Sequence, residues 1–557
     1  MHGDLVQDGW LSAVGADGGR SAEGVLGALT RAHLIRRLEL PDPTMLPAVL
    51  RQVLLPVVLD VLGAPRSPGE WAGRFERGCF APEEVGRLEE YLGPRFGDRF
   101  RLFDESRPFA QVAGLTAVSG DTKSSALLVP SIASGNNVPL FSSFSEADEL
   151  DLSPDLAALW LLHAQCWDTA AIKTGAAGDP LVNKGKTTGN PTGPLGQLGV
   201  IVPVGKTLYE TLLLNIPVMP DGLTPGDRPQ WAWDERPAPA RGRDPGTAEW
   251  SSRPVSGLLD LLTFQSRRIR LIPEKGPGGL RVRRVVLCAG DRLEQTSQQE
   301  PHTAWNHTAK PKAGQRPQRP RRHLSGRAAW QGLGSLLALD LPADGSGPTT
   351  SLMLRQAGDL SAEGYLAPDY PLGVEICALE YGNQSAVVEN AIADSLPLPV
   401  TALVAGNPDV REAVLECAAQ ADQTGRALDR FHSDLRRAAG GDPLPRDKGE
   451  RPSQRLLHAV DGRMRRLLAG LRTVGEDWDR LERGREAWEL TLWQEAFREA
   501  DQLLAAVPPR AVVGRVIREN GKETVHRSGR AEAWLRKALR GVLPRAADAQ
   551  DGRGEAA

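Results

Sequence analysis

The sequence predicts an α+β protein. A large mixed α/β domain spans residues 1–385, a four-helix bundle follows over 386–545, and a disordered tail closes the chain at 546–557. Three observations predict this. Short strand-like apolar runs at 200–204 and 282–287 alternate with helix-like runs at 45–62, 156–167 and 207–216. From about residue 390 glycine and proline thin out, and apolar residues recur at spacings of three, four and seven. The 557 residues suffice for two or more domains with a sizeable core.

Along the N-terminal part, 45–62 reads as a largely buried helix, with Pro56 predicting a kink or break. A second helix starts at Pro82, where proline and two glutamates occupy the first turn. Residues 156–167 form a buried helix that leads into a glycine-lysine loop, and 200–204 is a strand. Residues 217–254 are rich in Pro, Gly and Trp, which marks a long connection. Residues 256–271 pass from helix to strand. In the C-terminal part, Val410, Val414, Cys417, Ala421, Leu428, Phe431 and Leu435 share one helical face. Leu456, Val460, Met464, Leu467 and Leu471 make a second stripe, and Leu481, Trp488, Leu492, Ala496 and Leu503 a third. Trp534, Ala538 and Val542 make a shorter fourth.

Net charge is −3, from 67 basic and 70 acidic residues, so any nucleic-acid contact must use local patches. The five cysteines include no CxxC pair, which argues against structural zinc and a disulfide framework. No basic segment followed by an apolar one opens the chain, and no uninterrupted apolar run approaches about 18 residues. A cytoplasmic protein without a membrane span is expected.

The most informative segment is 173–199, with seven glycines, three lysines and no aromatic residue. Glycine lets backbone amides approach a ligand closely, and lysine adds charge without fixed geometry. The segment suits phosphates or a nucleic-acid groove; a plain surface loop is the competing reading. Both Gly185-Lys186-Thr187 and Gly205-Lys206-Thr207 read GKT, but Pro180 and Val200 stand where a phosphate loop needs its opening glycine. A nucleotide-binding enzyme on a degenerate GKT loop is therefore the alternative function. His302 and His307 lack a third metal ligand, and His163 with Cys166 reads as a packed core pair rather than a catalytic dyad. No cofactor is expected. Residues 309–327 form a basic, proline-rich loop with Lys310, Lys312, Arg316, Arg319, Arg321 and Arg322, open to a phosphate-contacting or a merely solvated reading.

Several segments occur in a telling order: DGWL at 8–11, RPFAQ at 107–111, LLHAQCWDTAAIKTGAAGDP at 161–180, GKTLYETLLLNI at 205–216, LTFQSRRIRL at 262–271, EPHTAW at 300–305 and YGNQSAVVENAIADSLPLP at 381–399. Together they resemble the CasA family, the large subunit of the type I-E CRISPR Cascade complex. The resemblance implies the mixed α/β domain followed by a four-helix bundle. It also implies a non-catalytic subunit that recognises the protospacer-adjacent motif (PAM) in double-stranded DNA and helps start the R-loop. The implied partners are the guide-RNA-bearing Cascade subunits and a helicase-nuclease recruited after R-loop formation. By the same resemblance, Lys173, Thr174, Gly175 and Gly178 belong to a glycine loop that enters the minor groove. Asn383, Gln384 and Ser385 form a glutamine wedge, and Asn137, Leu140 and Phe141 belong to a loop that contacts the foot of the complex. The family's minor-groove lysine falls near 288–292, where this chain has none; Arg292 is the candidate substitute. On the residues alone, Asn383-Gln384 reads as the first turn of a helix, capped by Asn383 or Ser385.

Overall fold

A computed structural model of the chain describes residues 3–132, 150–235, 252–276, 278–293, 296–445, 449–475, 477–519 and 522–555. They fall into two compact units. One comprises Met1–Arg327, Ala338–Leu366 and Leu372–Ser395; the other comprises Ala328–Leu337, Ala367–Pro371 and Leu396–Ala557.

In the first unit the apolar run from Met45 to Leu62 is helical throughout, but not uniformly. An α-helix over Met45–Val49 widens into a π-helical turn over Leu50–Leu54 and resumes as α-helix over Leu55–Leu62. Pro56 sits in the first turn of the last piece. It has no N–H to give and its ring crowds the carbonyl four residues back, so the π turn lets the helix pass without breaking. Its 18 residues have a mean hydropathy of 1.8, enough by length and composition to cross a membrane, yet 83% of the segment is buried inside the protein. The run carries a buried charge: Arg51 makes a two-pronged contact with Glu300 at 2.6 and 2.8 Å. This fork satisfies both groups where water cannot reach.

The helix Pro154–Trp167 is buried along nearly its whole length. Its His163 Nε2 lies 3.0 Å from Thr44 Oγ1, and the Trp167 indole donates to the Thr44 carbonyl at 3.0 Å. Next in the chain, Val200–Val204 pairs antiparallel with Gly373–Tyr381, which neighbours Val388–Pro397 in a three-stranded sheet. A second sheet centres on Gly279–Ala289. It pairs antiparallel with Arg267–Gly276 and Lys123–Ser124, and parallel with Lys173–Thr174.

In the second unit four long helices span Pro408–Ala438, Pro452–Leu471, Trp478–Ala505 and Ser528–Val542. The first packs against each of the other three, and the second packs against the third. The first stripe is buried as expected, from Val410 to Leu435. In the second, Leu468 takes the core position and Leu467 is half-buried; in the third, Ala500 is buried where Leu503 is not. The fourth face is shifted: Ala531, Leu535 and Leu539 are buried, while Trp534 lies at the edge beneath the Arg430 guanidinium, 3.9 Å from its ring centroid. A tryptophan stacked under a cation is better placed at such an edge than in the core. The expected disordered tail is helical over Pro544–Glu555. Arg545 reaches Glu489 at 2.7 Å and Glu416 at 3.2 Å, the Ala546 amide donates to Glu489 at 3.1 Å, and Ala546 and Ala547 are buried. A polar, alanine-rich tail shows no apolar stripe, so these contacts left no mark in the hydropathy pattern.

Burial holds the His163 imidazole at about 4, against the pull of Asp42 and Asp168. An exposed histidine titrates near 6.5. Between these values the unfolded chain binds more protons, so stability falls as pH drops through that window. At about pH 5 the loss is about 2 kcal/mol. Acidifying from about pH 7 to about pH 5 is therefore expected to lower the melting temperature of the wild type more than that of His163→Gln. Parallel shifts in the two proteins would contradict this.

Candidate nucleic-acid interface

The helix Pro154–Trp167 stops at Asp168, and the chain makes an excursion before returning near Pro191. Two short strands, Lys173–Thr174 and Lys186–Thr187, pair antiparallel within it, and Thr174 pairs with Cys288 of the central strand. The Gly175 amide donates to the Gly185 carbonyl, the Val118 amide to the Gly175 carbonyl and the Ala177 amide to the Thr116 carbonyl, each at 2.9 Å. Gly178 has φ +78°, a conformation that favours glycine, and lies exposed beside Ala177. Gly175 is needed for a different reason. A Cβ there would stand 2.5 Å from Val182 Cγ1 and 3.0 Å from the Gly185 carbonyl carbon.

Lys173 does not face outward. Its ammonium is buried and lies 2.7 Å from the Asp168 carboxylate, which Arg267 also grips. Burial pulls the Lys173 ammonium below the ordinary lysine range, and Asp168 opposes that. In this conformation the side chain braces the loop, its ammonium engaged by Asp168 rather than turned to solvent. The exposed lysines of the excursion are Lys184 and Lys186. Thr174 is half-buried in its strand.

The segment 383–385 is not the start of a helix. It forms a tight turn between Gly373–Tyr381 and Val388–Pro397. The Ser385 amide donates to Gly382 at 2.8 Å and the Ala386 amide to Asn383 at 3.0 Å. Gln384 and Ser385 have φ of 54° and 55°, so two non-glycine residues sit in the left-handed region. Such strain persists only where the surroundings hold it, and it gathers at functional sites. Asn383 and Gln384 are exposed and Ser385 is half-buried.

The structure brings these two distant segments together. The Ala170 amide donates to the Ser385 carbonyl at 2.8 Å, and the Tyr381 hydroxyl donates to the Trp167 carbonyl. A cavity of about 190 Å³ lies beside them, lined by Trp167, Ile172, Lys173, Leu287, Ala386 and Val388 among others.

Arg292 is half-buried, and its guanidinium donates to the Thr188 carbonyl at 3.0 Å, bracing the return of the excursion. Asn137, Leu140 and Phe141 lie outside the described residues. The second GKT does stand between a strand and a helix, but its amides are filled. The Gly205 amide donates to Thr211 Oγ1 at 3.0 Å and the Lys206 amide to Glu210 at 2.6 Å. These are the groups a phosphate nest would need. Among the described residues no cluster of three metal-ligating side chains occurs. His302 is buried against Glu300 and Arg51, and His307 bonds Thr349.

Sequence reasoning missed Asp168, Asp179, Arg267 and Arg268, which hold the excursion. The signal was there: two adjacent arginines inside the apolar run LTFQSRRIRL. The basic segment 309–327 lies on a small sheet, with Asn306 opposite Arg319 and the Gly199 amide donating to the Arg321 carbonyl at 3.1 Å. Lys310, Lys312, Arg316, Arg319 and Arg322 are exposed, and among the described residues no carboxylate pairs with any of them.

The family described as CRISPR-associated protein Cse1 matches residues 4–498. The chain belongs to the Cse1 family. This is the family of the type I-E Cascade large subunit that the ordered motifs resemble. A curated relative, the CRISPR-associated protein CasA/Cse1 of Thermus thermophilus, is 27% identical over 530 residues, covering 89% of this chain and 90% of the relative. The solved Cse1 of Thermobifida fusca superposes with a TM-score of 0.80 at 30% identity, covering 98% of each chain. That of Acidimicrobium ferrooxidans superposes with a TM-score of 0.79 at 27% identity, covering 98% of this chain and 99% of the other.

The Gly175 geometry makes a direct prediction. Gly175→Ala is expected to lower stability by about 1–3 kcal/mol through overpacking against Val182. Adding Val182→Ala to it is expected to recover most of that loss, because the new methyl gains room. Thermal melts of the two single variants and the double variant check this. A double variant no more stable than Gly175→Ala would contradict it.

Proposed function

We propose that this Cse1-family chain recognises the PAM in double-stranded DNA and helps begin strand separation, as a non-catalytic subunit of an RNA-guided type I-E complex. The observation that carries the proposal is the bond from Ala170 to Ser385, which ties the base of the glycine excursion to the exposed glutamine turn. Minor-groove recognition needs a slim backbone that can lie on the groove floor, and amide side chains that can read its sparse acceptor pattern. The Ala177-Gly178 turn offers the first, and Asn383 with Gln384 offers the second. Thr174 and Gly175 support the turn from within the fold. Lys173, paired with Asp168, positions the loop, and Lys184 and Lys186 are the cations of this excursion open to phosphate.

The exposed cations Lys310, Lys312, Arg316, Arg319 and Arg322 fit the same reading. A chain of near-neutral net charge that concentrates exposed cations in one segment can gain affinity by releasing counterions from a DNA backbone. Sequence reading is left to the guide RNA, so the protein need read only a short motif. We assign the C-terminal unit the role of a four-helix bundle facing neighbouring subunits and the displaced strand, with the chain offering a docking surface for the helicase-nuclease. The nucleotide-enzyme alternative is disfavoured by the filled amides at Gly205 and Lys206.

Gln384 is the direct test. Opening a base step costs about 1.4 kcal/mol of stacking, a factor of about ten in rate if the side chain supplies it at the transition state. In the assembled complex, Gln384→Ala is expected to slow R-loop formation about tenfold on relaxed DNA, and less on negatively supercoiled DNA, which is already predisposed to open. Gln384→Gly should slow it equally while relieving the left-handed backbone. Stopped-flow R-loop kinetics on both templates check this. Rates equal to wild type on relaxed DNA would remove the wedge role from Gln384.

A further inference from the structure

We infer that the adjacent residues Arg267 and Arg268 are the positioning residues of this interface, fastening the glycine excursion at its neck and at its midpoint. The inference rests on the DNA-reading role proposed above and adds the device that holds it in shape. Successive residues of a strand point to opposite faces, so two neighbours can serve two different points of one loop. Arg267 works at the neck. Its guanidinium grips the Asp168 carboxylate and donates to the carbonyls of Asp168 at 3.3 Å, Thr169 at 2.8 Å and Pro191 at 2.9 Å. It thus joins the residues where the chain leaves the fold to the residue where it returns. Arg268 works at the midpoint. It pairs with Asp179, directly after Gly178, and is itself fixed by donating to the Ala289 carbonyl at 2.6 Å.

Both arginines are 1% exposed, so neither touches DNA. Burying two guanidinium groups is costly unless every prong finds a partner in fixed geometry. The arrangement therefore gains shape rather than charge. Asp179 also accepts from the Leu181 amide at 2.9 Å, and this sets the turn that follows Gly178. Ala170, next to the Arg267-bound Thr169, carries the bond to Ser385. One pair of strand residues thus fixes the glycine turn directly and the glutamine turn through one further bond. Preorganisation of this kind raises affinity by lowering the ordering cost on binding.

The test uses the full chain in the assembled complex. Removing one partner alone leaves a buried unpaired charge, so the informative variant removes both: Arg268→Met together with Asp179→Leu. Two readouts are taken. Hydrogen exchange is followed at the Gly175 and Ala177 amides, and binding is measured to duplexes with and without the PAM over a range of salt. The expected result is a folded, assembling variant with exchange at both amides about tenfold faster and PAM-duplex affinity about tenfold weaker. Non-PAM affinity and the salt slope should stay as in wild type, because no phosphate contact is lost. A merely structural role would not narrow PAM discrimination at constant salt slope. Unchanged exchange, failure of the paired variant to fold or assemble, or faster exchange with intact PAM discrimination would each overturn the inference. Gln384→Ala run alongside separates the two levels. If it impairs R-loop formation while the arginine variant keeps full discrimination, only the positioning role fails. If both variants are silent, the interface reading fails as well.

Discussion

The half-buried carboxylate of Asp168, shared between Lys173 and Arg267, is the interaction on which the candidate interface depends. It sits where the helix Pro154–Trp167 ends and the glycine excursion begins. Burial works against its charge, yet the two cations hold its carboxyl below the ordinary aspartate range. An ion cluster in such a place contributes little net stability, because desolvation consumes most of the attraction. What it provides is direction: each prong fixes one point of a glycine-rich chain that has few side chains of its own to pack.

Glycine-rich segments lose more backbone entropy on ordering than any others. Here that cost is met by neighbours rather than by the loop. The excursion borrows hydrogen bonds from Thr116, Val118 and the central strand, and charge from Arg267 and Arg268. Its outer edge at Ala177-Gly178 is left bare. The glutamine turn follows the same logic. Two strands hold its ends, Ala170 holds its carbonyl, and the left-handed Gln384 presents its side chain to solvent. In both cases a rigid base carries an exposed tip.

Much of the fold was legible because burial imposes periodicity. The first helical stripe of the C-terminal unit and the strands at 200–204 and 282–287 follow from the apolar spacing alone. The fourth stripe was misread because Trp534 looks like a core residue, whereas an arginine stacked on its ring lets it sit at the edge. The tail helix was missed because its anchors are charges and alanines. At the site, the glycine content announced a close backbone approach but not what approaches. Gly175 is demanded by Val182 within the protein. That Lys173 is buried against Asp168 was not legible, because a sequence does not show which lysines are buried. Asn383-Gln384-Ser385 read as a helix start because the side chains that cap helices also build tight turns.

The central claim is that the glycine turn and the glutamine turn form one preorganised surface against the same stretch of DNA. Site-specific photo-crosslinking tests it most directly, with a photoreactive side chain placed at Ala177 in one complex and at Gln384 in another. The account predicts that both positions crosslink to the PAM and the base pairs beside it, and that a non-PAM duplex crosslinks at neither. Crosslinks from the two positions to separate regions of the duplex, or from only one of them, would contradict a shared surface.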